Sequence, residues 1–300
     1  MKRANHILVG TDFSEQADSA LLEAVRLARR HGSRITLLHI IDETPSDSRW
    51  MVFGVPPADI EDALRKRADE ELAKRVEGIC ADVPTETDIV FGKPSVTLVR
   101  EAGERGAGLI VVGRTGESMM ERLLLGSTAE RLLRQAPQMV LVVRPGGDPG
   151  FRRILAPVDF SDYSRDSLEV AARIARDENA ELHVLHAYEY AGLAQIASAT
   201  SITATQSFQE ELEEQSRRQL QTLIDEVDLK DLTPQLHLRV GLAAQEIITF
   251  ARDEQVDLVV MGSIGRTGLK RLFIGNTAER VIRSVPSSVL TVKPSDFRPE

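Results

Sequence analysis

The sequence is written twice, and this duplication constrains the fold more than any other feature. "ILVGTDFSEQADSALLEAVRLARRHGSRITLLHIIDE" begins at Ile7, and "ILAPVDFSDYSRDSLEVAARIARDENAELHVLHAYEY" begins at Ile154. Asp12 matches Asp159 at a distance of 147 residues, and Gly126 matches Gly275 at 149. Solenoid repeats run at roughly 20–50 residues, so a period of this length is a whole domain. Three hundred residues then make two domains of ordinary size. "RPGGDPG", Arg144 to Gly150, is the natural joint, because proline and glycine interrupt regular structure. The expected domains are residues 1–146 and 151–300.

Each copy reads as alternating strands and helices. In the first, strands are expected near 6–11, 34–41, 86–91, 108–112 and 139–143. They are short apolar runs, as strands covered on both faces should be. Leu21, Val25 and Ala28, spaced by four and three, give the first helix one apolar face, and Gly32 is its expected stop. The second copy repeats the order and ends in "SSVLTVK", Ser287 to Lys293. The expected fold class is α/β, two tandem doubly wound parallel-sheet domains. Each copy also has a longer loop after its second strand, Pro45 to Pro57 and Ala191 to Gln206. Both loops are apolar enough for a lid, a contact surface or packing over the sheet.

Composition excludes several classes. No stretch approaches ~18 uncharged apolar residues, and the first residues carry no apolar leader segment, so neither a membrane span nor a signal peptide is expected. One cysteine, Cys80, rules out an internal disulfide framework and points to a reducing, cytoplasmic setting. A net charge of −9 argues against general nucleic-acid binding. The charge is uneven, with 20 basic and 22 acidic residues in 1–146 against 17 and 24 in the remainder, which marks the copies as diverged. Six histidines and one cysteine offer no zinc spacing. His39 and His186 follow the second strands, and a packing role is expected over a Ser-His-Asp site. The charged run "EDALRKRADEELAKRVE", Glu61 to Glu77, is expected to be the solvated face of a long helix, as is "QEELEEQSRRQLQTLIDE", Gln209 to Glu226.

The chemistry lies after each fourth strand. "GRTGESMMERLLLGST" runs from Gly113 to Thr128, and "GSIGRTGLKRLFIGNT" runs from Gly262 to Thr277. In doubly wound sheets, ligands bind at the carboxyl ends of strands, near the switch in strand order. Gly113 and Gly116 would let backbone N–H groups approach phosphate oxygens, and Gly126 with Ser127 would open a helix whose N-terminus favours an anion. Asp12 would meet a base or ribose, or cap the following helix, and Ile40 would lie beside a ring. "STAE", Ser127 to Glu130, also matches a capping box, and "NTAE", Asn276 to Glu279, is similar. In the first copy Arg114 and Arg122 are balanced by Glu117 and Glu121, whereas Arg266, Lys270 and Arg271 leave the second at +3. There is no Walker A motif and no G-x-G-x-x-G, so P-loop and dinucleotide readings fall away.

On "TDFS", "LLHIIDE", G-2x-G-9x-G-[ST] and "FIGNTAERVI" the sequence resembles the universal stress proteins, in the tandem E-type-like form. The resemblance covers nearly all 300 residues. It implies the adenine nucleotide alpha hydrolase-like fold and an adenine nucleotide ligand, ATP, with or without Mg. The adenosine contacts would be Asp12 and Ile40, or Asp159 and Ala187. The phosphate contacts would be Gly113, Gly116, Gly126, Ser127 and Thr128, or Gly262, Gly265, Gly275, Asn276 and Thr277. Asn276 departs from the family pattern and weakens the case for ATP in the second copy. The family's dimer pairs fifth strands, so here "MVLVV" and "SSVLTVK" would pair within one chain and leave other surfaces for a homodimer. The expected role is a stress-response sensor or switch with at most slow hydrolysis, since no general base is assigned. The alternative is a scaffold whose degenerate pockets take another ligand.

Overall fold

The computed structural model describes residues 5–42, 57–115, 125–146, 150–189, 202–229, 231–263 and 275–293. The chain divides into two compact units, with the boundary between Pro149 and Gly150. Unit 1 holds strands β1 (His6–Thr11), β2 (Arg34–Ile41), β3 (Thr85–Phe91), β4 (Leu109–Gly113) and β5 (Met139–Val143). Its helices are α1 (Glu15–His31), α2 (Pro57–Ile79), α3 (Pro94–Glu104) and α4 (Ser127–Gln135). The strand order is β3-β2-β1-β4-β5, and each described pairing is parallel, with Ile7 opposite both Ile35 and Leu109.

Unit 2 repeats the plan with β6 (Arg153–Pro157), β7 (Glu181–Tyr188), β8 (Gln235–Val240), β9 (Leu258–Gly262) and β10 (Ser288–Val292). Its helices are α5 (Asp162–Glu178), α6 (Ile202–Glu226), α7 (Ala243–Asp253) and α8 (Asn276–Ser284). The order β8-β7-β6-β9-β10 is that of unit 1, and again parallel. Parallel strands need crossover helices, which cover both faces and call for apolar runs. Leu8, Val9, Ile110 and Val111 are accordingly buried, as are Leu155, Val259 and Val260. Of the two expected loops, residues 45–56 and 191–201 lie outside the described residues, and residues 202–206 are not loop but the first part of α6.

Helix ends follow local chemistry. Ser14 caps α1 by accepting from the Ala17 N–H at 3.2 Å, and Gly32 ends it at φ +65° with its N–H on the Ala28 carbonyl. In unit 2 Ser161 caps α5, and Asn179 takes the left-handed position at φ +54°. Asparagine is the usual substitute for glycine there. Leu21, Val25 and Ala28 are buried as the spacing requires.

The charged face of α2 is only partly solvated. Ala68 and Leu72 are buried, Arg65 lies 4.7 Å from the Phe91 ring centre, and the Arg75 side chain is only 13% exposed.

Unit 2 holds a histidine pair away from the strand ends that matter below. His183 Nδ1 on β7 lies 3.2 Å from His237 Nε2 on β8, and Phe250 of α7 packs 4.5 Å from the His237 ring. Burial, first, holds both imidazoles below their ordinary value of 6.5; His183 and Arg239 push His237 further down, and Glu181 and Glu254 act against the shift. The unfolded chain therefore takes up protons more readily than the folded one. Stability present above the unfolded value is lost as pH falls through 6.5 and below. Urea midpoints at pH 7 and pH 5 should differ less in His237→Gln than in the parent protein, and an equal difference would remove the pair from the acid response.

Candidate functional site

The strand order of unit 1 reverses between β1 and β4, and a cavity of about 560 Å³ opens at their carboxyl ends. Gly10, Thr11 and Asp12 line it from β1 and its loop, Leu38, Ile40 and Asp42 from β2, and Val112 to Thr115 from β4. Pro94 and Leu98 of α3 add an apolar wall, and Gly126 to Ala129 bring in the start of α4. The cavity thus gathers Asp12, Ile40, Gly113, Gly126, Ser127 and Thr128. Gly116 lies outside the described residues.

The β1–α1 turn sets Asp12. One of its oxygens, Oδ1, accepts from the Ser14 backbone N–H at 3.2 Å and the Ser14 hydroxyl at 2.6 Å. The helix cap is therefore Ser14, and Asp12 supports it from one oxygen while lining the cavity. Phe13 adopts φ +68°, a conformation non-glycine residues rarely hold unless their surroundings fix it. Its ring stacks on His39 at 4.2 Å. His39 Nδ1–H donates to the Thr11 carbonyl at 2.9 Å, and burial keeps this imidazole below its ordinary value. His186 repeats the bond to Val158 at 2.9 Å, and Phe160 stacks on it at 4.1 Å. Both histidines are packing residues, as expected.

The other end of the cavity corrects two expectations. Ser127 is not the cap of α4: Gly126 is, at φ −66° and ψ 147°, with no side-chain cap bond, and the Glu130 N–H bonds back to the Gly126 carbonyl. Ser127 and Thr128 are the first helical residues, where backbone N–H groups have no partner within the helix. Asn276 stands likewise one position after its cap, Gly275. The capping-box explanation of Ser127 fails, and the hydroxyl is left to the cavity. Ser127→Ala should consequently change the stability measured by urea unfolding by no more than about 0.5 kcal/mol; a loss of ~1 kcal/mol, as for a true cap, would restore the capping role.

The second correction concerns Gly113. A Cβ there would meet Gln16 C and O at 2.8 Å and Ala17 N at 3.1 Å. The glycine is required by the close approach of β4 to α1, whatever the cavity holds. The expected site omitted Thr11 and Asp42, although both lie inside the motifs that gave Asp12 and Ile40, and the Pro94–Leu98 wall, which lies in no motif. Arg114 is 5% exposed with its Nε buried and unbonded. A cation in a glycine-rich loop was its signal. The other charges weighed there, Glu117, Glu121, Arg122, Arg266, Lys270 and Arg271, lie outside the described residues.

Unit 2 places Asp159, Ala187, Gly262, Gly275, Asn276 and Thr277 at the corresponding strand and helix ends, and Gly265 lies outside the described residues. Asp159 holds Ser161 as Asp12 holds Ser14, at 3.1 and 2.5 Å. The surroundings differ in chemistry: Pro157, Val158 and Ser263 stand where unit 1 has Gly10, Thr11 and Arg114. Among the described residues no group of three His, Cys, Asp or Glu could hold a metal, and no helix is long and apolar enough to cross a membrane.

Five parallel strands per unit, a turn of the T/V-D-F-S type after the first, and a glycine-capped helix opening on the switch point of unit 1 define a doubly wound α/β protein with a cleft at that switch point. The universal stress protein family model matches residues 4–144 and again 150–293. The chain belongs to that family, in its tandem form. A universal stress protein of Mycolicibacterium smegmatis is 29% identical over 297 residues, covering 96% of this chain and 97% of the relative. The universal stress protein E homolog of Haemophilus influenzae is 26% identical, with 97% of each chain covered. Among solved structures, the functionally unknown protein PA1789 from Pseudomonas aeruginosa superposes with a TM-score of 0.68 at 25% identity, covering 98% of this chain and 94% of its own.

Proposed function

We propose that unit 1 binds an adenine nucleotide, ATP with Mg as the phosphate counter-ion, and that the protein serves as a cytoplasmic stress-response sensor or switch. The observation that carries this reading is the start of α4. Ser127 and Thr128 line, together with Arg114, a cavity of about 560 Å³, and the first N–H groups of a helix have no partner within it. Such an end suits an anion. Ile40, Leu38 and Leu98 with Asp12 and Asp42 also line the cavity, and such a set suits a flat, largely apolar ring that also donates hydrogen bonds. Pairing of the fifth strands and a homodimer of tandem chains belong to the same proposal and rest on the family resemblance.

The test is direct. Freshly purified protein is heat-denatured and the supernatant resolved by ion-exchange chromatography and mass spectrometry. Adenine nucleotide is expected in the parent sample and depleted in Ser127→Glu. A parent protein that releases none, and whose melting does not respond to excess ATP, would leave the scaffold reading, for which the apolar wall of α3 is the motive.

A further inference from the structure

The two units share the turn that presents their aspartates, and in unit 1 an arginine from another helix reaches it. Arg75 of α2 donates to the Phe13 carbonyl at 2.8 Å, and its guanidinium carbon lies 4.9 Å from the Phe13 ring centre. It is held in place by Asp18 of α1 at 2.6 Å and by Glu71 one helical turn back at 2.8 Å. Thr11 and Phe13, the residues flanking Asp12, thus both give up their carbonyls to side chains from elsewhere, Thr11 to His39 at 2.9 Å and Phe13 to Arg75 at 2.8 Å. The Phe13 N–H adds a bond to Thr11 Oγ1 at 3.1 Å. The Thr11–Asp12 peptide plane is fixed from β2, the Asp12–Phe13 plane by the Thr11 hydroxyl, and the Phe13–Ser14 plane from α2.

In unit 2 the bond to His186, the Phe160 stack and the Asp159–Ser161 contact all recur. Aligning buried Leu72 with buried Leu220 puts Leu223 opposite Arg75, and leucine cannot donate a hydrogen bond. The ion pair between the helices is reversed: Arg165 of α5, opposite Asp18, meets Glu226 of α6 at 2.5 Å. The link between helices therefore survives without the arm that reaches the turn. Had Arg75 served only to join α1 to α2, the reversed pair would be its full equivalent.

We infer that Arg75 is a positioning residue for the unit 1 cavity: the left-handed turn forms in both units, with Phe13 at φ +68° and Phe160 at φ +63°, and in unit 1 Arg75 steadies it and with it the Asp12 carboxylate. This rests on the reading of the cavity as a nucleotide site. A guanidinium suits the task because one planar group can bond a carbonyl, pair with a carboxylate and lie over a ring. Because α2 supplies the clamp, a shift of α2 against α1 would be felt at Asp12, giving unit 1 a mechanical route to the cavity that unit 2 lacks.

The experiment titrates the full chain calorimetrically with ATP, for the parent, Arg75→Met, Arg75→Lys and Asp18→Asn. Arg75→Met is expected to weaken ATP at least tenfold, Arg75→Lys to recover part of the loss, and Asp18→Asn, which weakens the helix link but leaves the Phe13 carbonyl its donor, to bind as the parent does. A second readout needs no ligand. Arg75 is among the groups that press His39 down, so the His39 titration followed by NMR should move upward in Arg75→Met. Parent-like ATP affinity in Arg75→Met overturns the inference, and so does equal weakening in Asp18→Asn. If the parent protein binds no ATP, the nucleotide reading falls by itself, and an unmoved His39 titration then overturns the clamp separately.

Discussion

Replacing Gly113 by valine is expected to destabilise unit 1 by about 3 kcal/mol, near the top of the usual range for forced overpacking. The reason is a backbone contact. Any Cβ at this position would lie 2.8 Å from the carbonyl carbon and oxygen of Gln16 and 3.1 Å from the Ala17 nitrogen. Those atoms belong to the first turn of α1, which cannot retreat cheaply, because Ser14 caps it and Asp12 holds Ser14 at 2.6 Å. A flexible side chain could swing aside; a capped helix turn must move as a body. Alanine should already show most of the effect, since the clash begins at Cβ. Urea unfolding followed by circular dichroism measures it, and an alanine variant with the parent midpoint would show that α1 yields after all. The consequence for function is practical: a Gly113 variant that loses its ligand says nothing about phosphate contacts, and Ser127 is the residue to change.

How far the sequence reveals this molecule depends on the range of the interaction. The expected strands 6–11, 34–41 and 139–143 coincide with β1, β2 and β5, because a strand buried on both faces is built around an apolar run. The stop at Gly32 was equally plain, a left-handed residue being a local demand. The start of α4 offers two readings one residue apart. S-x-x-E at Ser127 fits a capping box by spacing, yet the chain caps with Gly126, and no local pattern separates two frames one residue apart. Gly113 shows a different failure: packing and ligand approach both demand glycine, so only the distance to Gln16 tells them apart. Arg75 lies in a run of charge that looks solvated throughout, and its turn inward depends on Phe13, 62 positions away. The cavity residues themselves were legible because family motifs mark them; the wall from α3 was not, since Pro94 and Leu98 belong to no motif.

The second large effect is expected from the ligand. With ATP at about 100 times its Kd, a protein that binds only when folded gains about 2.7 kcal/mol. For a domain of this size that raises the transition containing unit 1 by roughly 5–11 °C. Hydrogen exchange read by peptide mass spectrometry assigns the gain, and β4 and the first turn of α4 should be protected while β9 and α8 are not. The argument for this asymmetry is chemical. Unit 1 has a hydroxyl at the first position of α4 and the buried Arg114 lining the same cavity; unit 2 has Asn276 and Ser263 at the matching positions. Ser127→Glu separates binding from folding, because a carboxylate in the first turn favours the helix while filling the place a phosphate would take. The variant should melt without ATP at or slightly above the parent temperature and lose the ATP-induced rise. Protection confined to β9 and α8 would move the site to unit 2, where Asn276 would then have to be an acceptable phosphate neighbour. A rise that survives in Ser127→Glu would place the anion away from α4, and the unbonded N–H groups there would owe their freedom to the glycine cap alone.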